Sequence, residues 1–378
     1  SADDVTVKGY APSLPLDSVA AHVIIDGDEL ATAFYTSGDN TQLSDITIQN
    51  GKSPYGAGLY LAGANGSIVS RCIIRDNIGT GDITAHGIAV NSSNCLIEDC
   101  LITGNYGRKH TVNVNNSGHV IRNCRIVNNP TWEEGGGIVV YAPGTLIENC
   151  LIAGNNNGGI TTHKTGVIVD HCTIANNTGH GCFVWCTSGD ADLNITNSII
   201  ANNGNTEFKM SQTGIRVATA RMRNTLVEGG ADYDWQSVYK VFDIDSTLIS
   251  DAPLLDDDFS LLSLPPAIGT GAAMRYGADG TLSESSSTED LNGSARPLPT
   301  GTDSDLGCFE SALGAPEPIL GCNDPVACNY DASANENDGS CEYAPNNDCS
   351  GNCPVWPEDT VLQCLGGSTV LNAEALQN

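Results

Sequence analysis

Between residues 45 and 203 the chain repeats a short apolar run, rich in Ile and Val, too brief for a helix and closed by Gly, Asn or Asp. Copies read Cys72-Ile-Ile-Arg-Asp-Asn77, Cys100-Leu-Ile-Thr-Gly-Asn105, Cys124-Arg-Ile-Val-Asn-Asn129, Cys150-Leu-Ile-Ala-Gly-Asn155, Cys172-Thr-Ile-Ala-Asn-Asn177 and Ser198-Ile-Ile-Ala-Asn-Asn203. Asp45-Ile-Thr-Ile-Gln-Asn50 reads as the earliest copy, with Asp45 in the Cys position. Two residues after that position stand Ile74, Ile102, Ile126, Ile152, Ile174 and Ile200; three before it stand Val69, Ile97, Ile121, Ile147, Val169 and Ile195. Polar pairs such as Arg122-Asn123 and Glu148-Asn149 separate the two columns. The pattern predicts a strand, a two-residue bend and a second strand. A third strand is predicted at residues 58–61, 87–90, 111–114, 137–140, 159–162 and 181–184.

The closing Asn residues fall 22 to 28 positions apart, so a fixed core carries insertions of varying length, as in a solenoid. Three short strands per coil, with like residues in columns, predict an all-β parallel β-helix with coils about 4.8 Å apart. A leucine-rich repeat would need long amphipathic helical stretches between its strands, and the sequence has none. Each stacked Ile or Val contributes roughly 1.5–3 kcal/mol on burial. The Asn column is expected to hydrogen-bond between coils and support the bends.

At 378 residues the chain fits one long rod plus a small module. Its 45 acids and 16 bases give a net charge of −29, with no Lys or Arg after Arg296. That balance argues against nucleic acid and anionic membranes as partners and favours cations or a basic partner. No apolar stretch approaches the ~20 residues of a membrane span, so no membrane insertion is expected. The opening at Ser1, without Met or a signal-like segment, fits a mature exported form.

Cysteine usage divides the chain. Cys72, Cys100, Cys124, Cys150 and Cys172 share one column and read as a buried ladder of reduced thiols. Cys322, Cys328, Cys341, Cys349, Cys353 and Cys364 crowd into 43 Asp- and Asn-rich residues, a disulfide-stapled module of an oxidising compartment. The expected boundaries are a rod over 1–312, with coils ending near Gly230 and a terminal closure after them, a linker over 313–320, and a Cys-rich acidic module and tail over 321–378.

Asp251-Ala-Pro-Leu-Leu255, Leu264-Pro-Pro-Ala-Ile-Gly-Thr-Gly271, Asn292-Gly-Ser-Ala-Arg-Pro297 and Asp305-Leu-Gly-Cys-Phe-Glu310 follow the coils in order. With them, the chain from roughly residue 23 to 312 resembles bacterial surface proteins of the choice-of-anchor right-handed β-helix family, which have a pectate-lyase-like fold. In that family such a run closes the helix before a variable anchoring tail. The chain departs from the pattern at Gly269, Thr270 and Cys308. Residues 321–341 are similar to a Cys-rich repeat of secreted Bacteroidetes proteins. The resemblance implies a right-handed coil and an extracellular or cell-surface location; it implies no reaction.

Polysaccharide lyases and hydrolases built on such rods need clustered or paired acids on the groove. The outward positions of the third strand are Ala89, Asn113, Val139, Thr161 and Phe183, none of them acidic. The nearest carboxylates, Glu133 and Glu134, have no matching cluster in neighbouring coils. Candidates for an enzyme are these two with His86, Arg108, Lys109, His110, His163, Lys164 and His180. His86 and His110 precede the same strand in adjacent coils, so they read either as a stacked two-ligand metal pair or as solvent-facing turn residues. Trp132, Phe183 and Trp185 are placed to stack on sugar rings, to seal the groove or to meet another subunit. In the tail, Asp324, Asp331, Asn335, Asn337 and Asp338 supply hard oxygens suited to Ca2+, or simply form turns. Six Asn-x-Ser/Thr sites, at Asn65, Asn91, Asn115, Asn176, Asn194 and Asn292, are candidates for glycosylation.

These features favour a non-catalytic extracellular structural or adhesive protein, a fibre or surface-assembly subunit joined through its C-terminal module. Its partners would be copies of itself, cell-surface components or glycans, with Ser368, Thr369, Val370, Leu371 and Asn372 adding a strand to a neighbouring sheet edge. The alternatives are a secreted polysaccharide lyase or glycoside hydrolase and a carbohydrate-binding adhesin.

Overall fold

The polar bends wind the chain by holding one residue in the left-handed backbone region. In the computed structural model, Arg71, Asp99, Asn123, Asn149, His171 and Asn197 have φ between 46° and 54°, each immediately before the Cys column. Asn and Asp tolerate this region because their side chains bond locally. Arg71 and His171 need outside support. Arg71 meets Asp45 with two bonds of 2.7 Å. His171 lies 3.2 Å from both the Asp170 carboxylate and Ser304 Oγ. Asn50, Asp76, Asn128, Asn176 and Asn202 form a second left-handed column, after the second strand.

The structure describes residues 4–8, 23–81, 85–132, 136–229, 239–244, 247–250, 253, 255–261, 267–311, 320–324, 327–331, 334 and 337–343, and the backbone of 336, 364–365 and 368–369. They contain no helix long and apolar enough to cross a membrane. The chain divides into two compact units, Ser1–Ala315 and Pro316–Asn378. In the first, the strands stack into three long parallel sheets of ten, ten and eight strands, beside a short parallel sheet of three. Val69, Ile97, Ile121, Ile147 and Val169 align in the first sheet, and Ile74, Ile102, Ile126, Ile152 and Ile174 in the second. Leu59, Ile88, Val112, Ile138 and Ile160 align in the third. All of these are buried in one continuous core. The fold is an all-β parallel solenoid.

Two columns do more than fill space. Each ladder thiol donates to the carbonyl two residues earlier, as in Cys100 to Glu98 at 3.1 Å and Cys150 to Glu148 at 3.2 Å. Ser198 and Thr225 repeat the bond with hydroxyls, at 2.7 and 2.9 Å. The column thus selects a small donor that closes a tight bend. The Asn ladder runs Asn77, Asn105, Asn129, Asn155, Asn177 and Asn203, each amide donating to the next at 2.8–3.1 Å.

Three expectations are corrected. Thr47 pairs with Ile73, which puts Asp45 opposite Arg71, Ile46 in the Cys column and Gly51 in the Asn column. The first copy is therefore shifted by one residue, and its Asn50 is a bend residue. The coils also continue past Gly230: Lys240–Ile244 and Leu248–Ile249 pair with Ala218–Arg223 and Thr225–Val227, without any Cys or Asn signature. Finally, the segment after them lies along the side of the second sheet. Leu261, Ile268 and Leu306 cover Ile199, Ala201 and Leu226; Cys308 and Phe309 cover Leu151 and Ala153. Those outward apolar residues would otherwise face water. Arg296 and Glu310 of the closing motifs pair at 2.7 Å with buried side chains.

In the second unit, Leu320–Gly321 pairs in parallel with Glu336–Asn337, and Cys322 is bridged to Cys341. Cys364–Leu365 and Ser368–Thr369 form an antiparallel pair. Cys349, Cys353, Val370, Leu371 and Asn372 lie outside the described residues.

Candidate binding groove

Alternation along the third sheet sends every second side chain outward, and successive coils align these residues in rows. One row runs Asn113, Val139, Thr161, Phe183, Lys209. The next outward position, two residues further along each coil, gives a second row containing Tyr141, His163, Trp185 and Ser211. Because coils repeat at about 4.8 Å, flat side chains in one row meet face to face. Tyr141 and His163 stack at 4.5 Å, with planes 6° apart. Trp185 follows at 5.2 Å from His163. Phe183 lies beside Trp185 at 5.3 Å and 15°. The Lys209 ammonium sits 5.2 Å above the Phe183 ring.

With Lys109, Asn157, His180 and Thr187, the four rings and Lys209 line an open groove of about 630 Å³. A smaller hollow of about 280 Å³ continues past His180 and Lys209 to Lys240 and Phe242. Among the described residues lining the groove there is no Asp or Glu. Burial holds His163 down to about 4, and holds His110 down to about 3 with help from His86, Lys109 and His163 nearby. His180 is lowered by burial and by Lys209. These imidazoles are neutral at neutral pH, so the positive charge of the groove comes from lysine.

Of the three aromatic residues expected to stack on sugars, the groove brings together Phe183 and Trp185. Trp132 lies elsewhere, half exposed and edge-on to Tyr106 at 4.7 Å. Tyr141 and Lys209 were not singled out from the sequence. Their signal was positional: Tyr141 follows Val140 as His163 follows Thr162 and Trp185 follows Val184. Glu133 and Glu134 lie outside the described residues.

His86 and His110 depart from both readings of them. Neither faces solvent: His86 is fully buried and His110 nearly so. A register shift sets Ala85, not His86, opposite His110. The His86 ring instead fills the space left by Gly79 and Gly107, where any Cβ would lie 2.2 Å from its Nδ1. No described group hydrogen-bonds either ring nitrogen of His86. Among the described residues no three His, Cys, Asp or Glu side chains converge as ion ligands would. In the tail, Asp324 accepts from the Tyr343 hydroxyl at 2.7 Å, and Asn337 and Asp338 accept from the Gly339 and Ser340 amides. Asp331 bonds through its amide to the Cys322 carbonyl, and Asn335 lies outside the described residues.

His86 makes stability depend on pH. Burial holds its folded pKa at about 4, below the ordinary 6.5. Between those values the unfolded chain binds more protons, so its contribution is complete above pH 6.5 and is lost as pH falls toward 4. The loss amounts to about 3 kcal/mol. Buried carboxyls raised by desolvation, such as Asp192 and Glu207, act in the opposite direction, so the comparison is made with a variant. His86→Phe should flatten the fall in urea midpoint between pH 7 and 4; equal slopes for both proteins would contradict the assignment.

The right handed beta helix region family model matches residues 20–129 and 82–229, together more than half of the chain. No curated protein matches it in sequence. Among solved structures, pectate lyase Pel9A is 15% identical, with 82% of this chain and 96% of that chain covered and a TM-score of 0.38. The complex of XylC with xylose is 10% identical, with 75% and 67% covered and a TM-score of 0.37. Neither superposition bears on the chemistry of the groove.

Proposed function

Because this chain belongs to the right-handed β-helix family, we propose that it is a non-catalytic, glycan-binding extracellular protein whose rod holds carbohydrate against the third sheet. One observation carries the reading: the Tyr141–His163–Trp185 column, with Phe183 flat beside it, forms an aromatic shelf along an open groove, its Tyr141, Phe183 and Trp185 rings partly exposed and the His163 ring buried between them. Sugar rings present apolar C–H faces and polar rims. A shelf of this kind meets the faces, while Asn157, Thr161 and Thr187 are placed for the rims. Acid–base cleavage of a glycosidic bond would draw on two carboxyl groups flanking it, and the described lining supplies His, Lys, Asn and Thr instead. The Cys322–Cys341 bridge supports an oxidising, extracellular setting. The closing motifs favour the choice-of-anchor type, with the second unit as its attachment.

Titration with a panel of oligosaccharides tests this. Trp185→Ala should weaken binding by about tenfold or more, since it removes the broadest face of the shelf, while circular dichroism stays unchanged. A variant that binds as tightly as the parent, or release of new reducing ends from the bound glycan, would overturn the proposal.

A further inference from the structure

We infer that the groove selects an anionic glycan, carboxylated or sulfated, and meets its charge directly with Lys109 and Lys209. The inference rests on the glycan-binding reading and adds the chemistry of the ligand. Its basis is the way this acidic chain distributes its few cations. Elsewhere in the first unit four arginines are closely matched to acids, Arg71 to Asp45, Arg122 to Glu98, Arg275 to Glu284 and Arg296 to Glu310, at 2.7–2.8 Å, while Arg125 and Arg216 bond to Asn292 and Thr213. Lys109 and Lys209 both line the groove, and neither is ion-paired with a described residue. In a chain with 45 acids against 16 bases, two unpaired ammonium groups in a groove without a described carboxylate mark a place kept positive.

Their spacing points to an oligomer. Lys109 precedes the strand His110–Asn115, and Lys209 lies on Phe208–Gln212, four coil steps further on. At roughly 4.8 Å per coil the two sit about 19 Å apart along the axis, at opposite ends of the aromatic shelf. A single sugar cannot span them, whereas a chain lying along the rod places several rings on the shelf and an anionic group near each lysine. Lys209 also lies over Phe183, so the ring that would stack on a sugar is held beside the cation that would meet its charge. The neutral imidazoles of His163 and His180 add hydrogen bonding without adding charge.

The test uses the full chain with three ligands of equal length: hexagalacturonate, a sulfated carrageenan hexamer and neutral cellohexaose. Calorimetry at low salt should show the acidic hexamers binding about tenfold or more tighter than cellohexaose. Raising NaCl from about 50 mM to about 500 mM should remove most of that advantage, because solvent-exposed charges are screened. Whichever acidic hexamer binds tighter identifies the anion as carboxylate or sulfate, and either preference supports the inference. Lys109→Gln combined with Lys209→Gln should abolish the preference, bringing the acidic hexamers down to the affinity that cellohexaose shows for the same variant. Cellohexaose binding as tightly as the acids, or a double variant that keeps the preference, overturns the inference and leaves the glycan-binding reading intact. If no hexamer binds, that reading falls with it.

Discussion

Asn129→Ala should lower the stability of the rod by about 4–5 kcal/mol, an effect set by groups left without partners deep in the wall. The Asn129 side chain is fully buried. Its amide donates to Asn155 Oδ1 at 2.9 Å and to the Ile102 and Val127 carbonyls at 3.0 and 3.1 Å. Its oxygen accepts from the backbone and side-chain amides of Asn105, both at 3.0 Å. Alanine removes these bonds together, taking from the buried Asn105 backbone N–H and the Ile102 carbonyl the partners that Asn129 supplies. Urea unfolding followed by circular dichroism measures the loss. A change below about 1 kcal/mol would mean that the ladder is decorative and that the aliphatic columns alone hold the coils.

The closing segment gives the second large effect. Glu310→Ala should cost about 3–5 kcal/mol, because it strands a buried guanidinium. The Arg296 side chain is 1% exposed and that of Glu310 is not exposed at all. Arg296 also donates to Asn149 Oδ1 and to the Gly307 and Asp305 carbonyls, so it ties the bend of one coil to the closing segment. Glu310 in turn accepts from the Leu298 amide at 2.9 Å. Gly307 explains why the motif has glycine there: φ is +85°, and a Cβ would lie 2.6 Å from Thr173 Oγ1. The segment should peel from the second sheet first. Proteolysis of Glu310→Ala ought therefore to cut between residues 255 and 311 before the coils are touched, and cleavage at an unchanged rate would contradict this pinning.

The sequence made the coils legible because each column repeats one chemical demand: aliphatic inside, amide in the turn, small donor at the bend. It was weakest where the demand can be met by different letters. Ile46 and Gly51 fill the Cys and Asn columns in the first coil, so matching the letter Asn shifted that copy by one. Past Gly230 only the alternation of Phe242 and Ile244 with exposed Val241 and Asp243 marks a further coil. Phe183 was visible as an outward aromatic residue of the third strand and Trp185 as one just after it. Tyr141 and His163 became part of the same shelf only once the register placed them in one row, which no local motif encodes. The path of the closing segment was hidden for a related reason. The outward apolar residues Leu151, Ile199 and Leu226 do announce a covered face, but they are adjacent in space and scattered in sequence.

The central claim is that the aromatic and cationic row of the third sheet is where this rod meets its ligand. A crystal structure of the chain grown with an acidic hexasaccharide tests it most directly. The account predicts sugar rings lying flat over Phe183 and Trp185 with an anionic group beside Lys209. A hexasaccharide seated on another face of the rod, with the shelf bare, would contradict it.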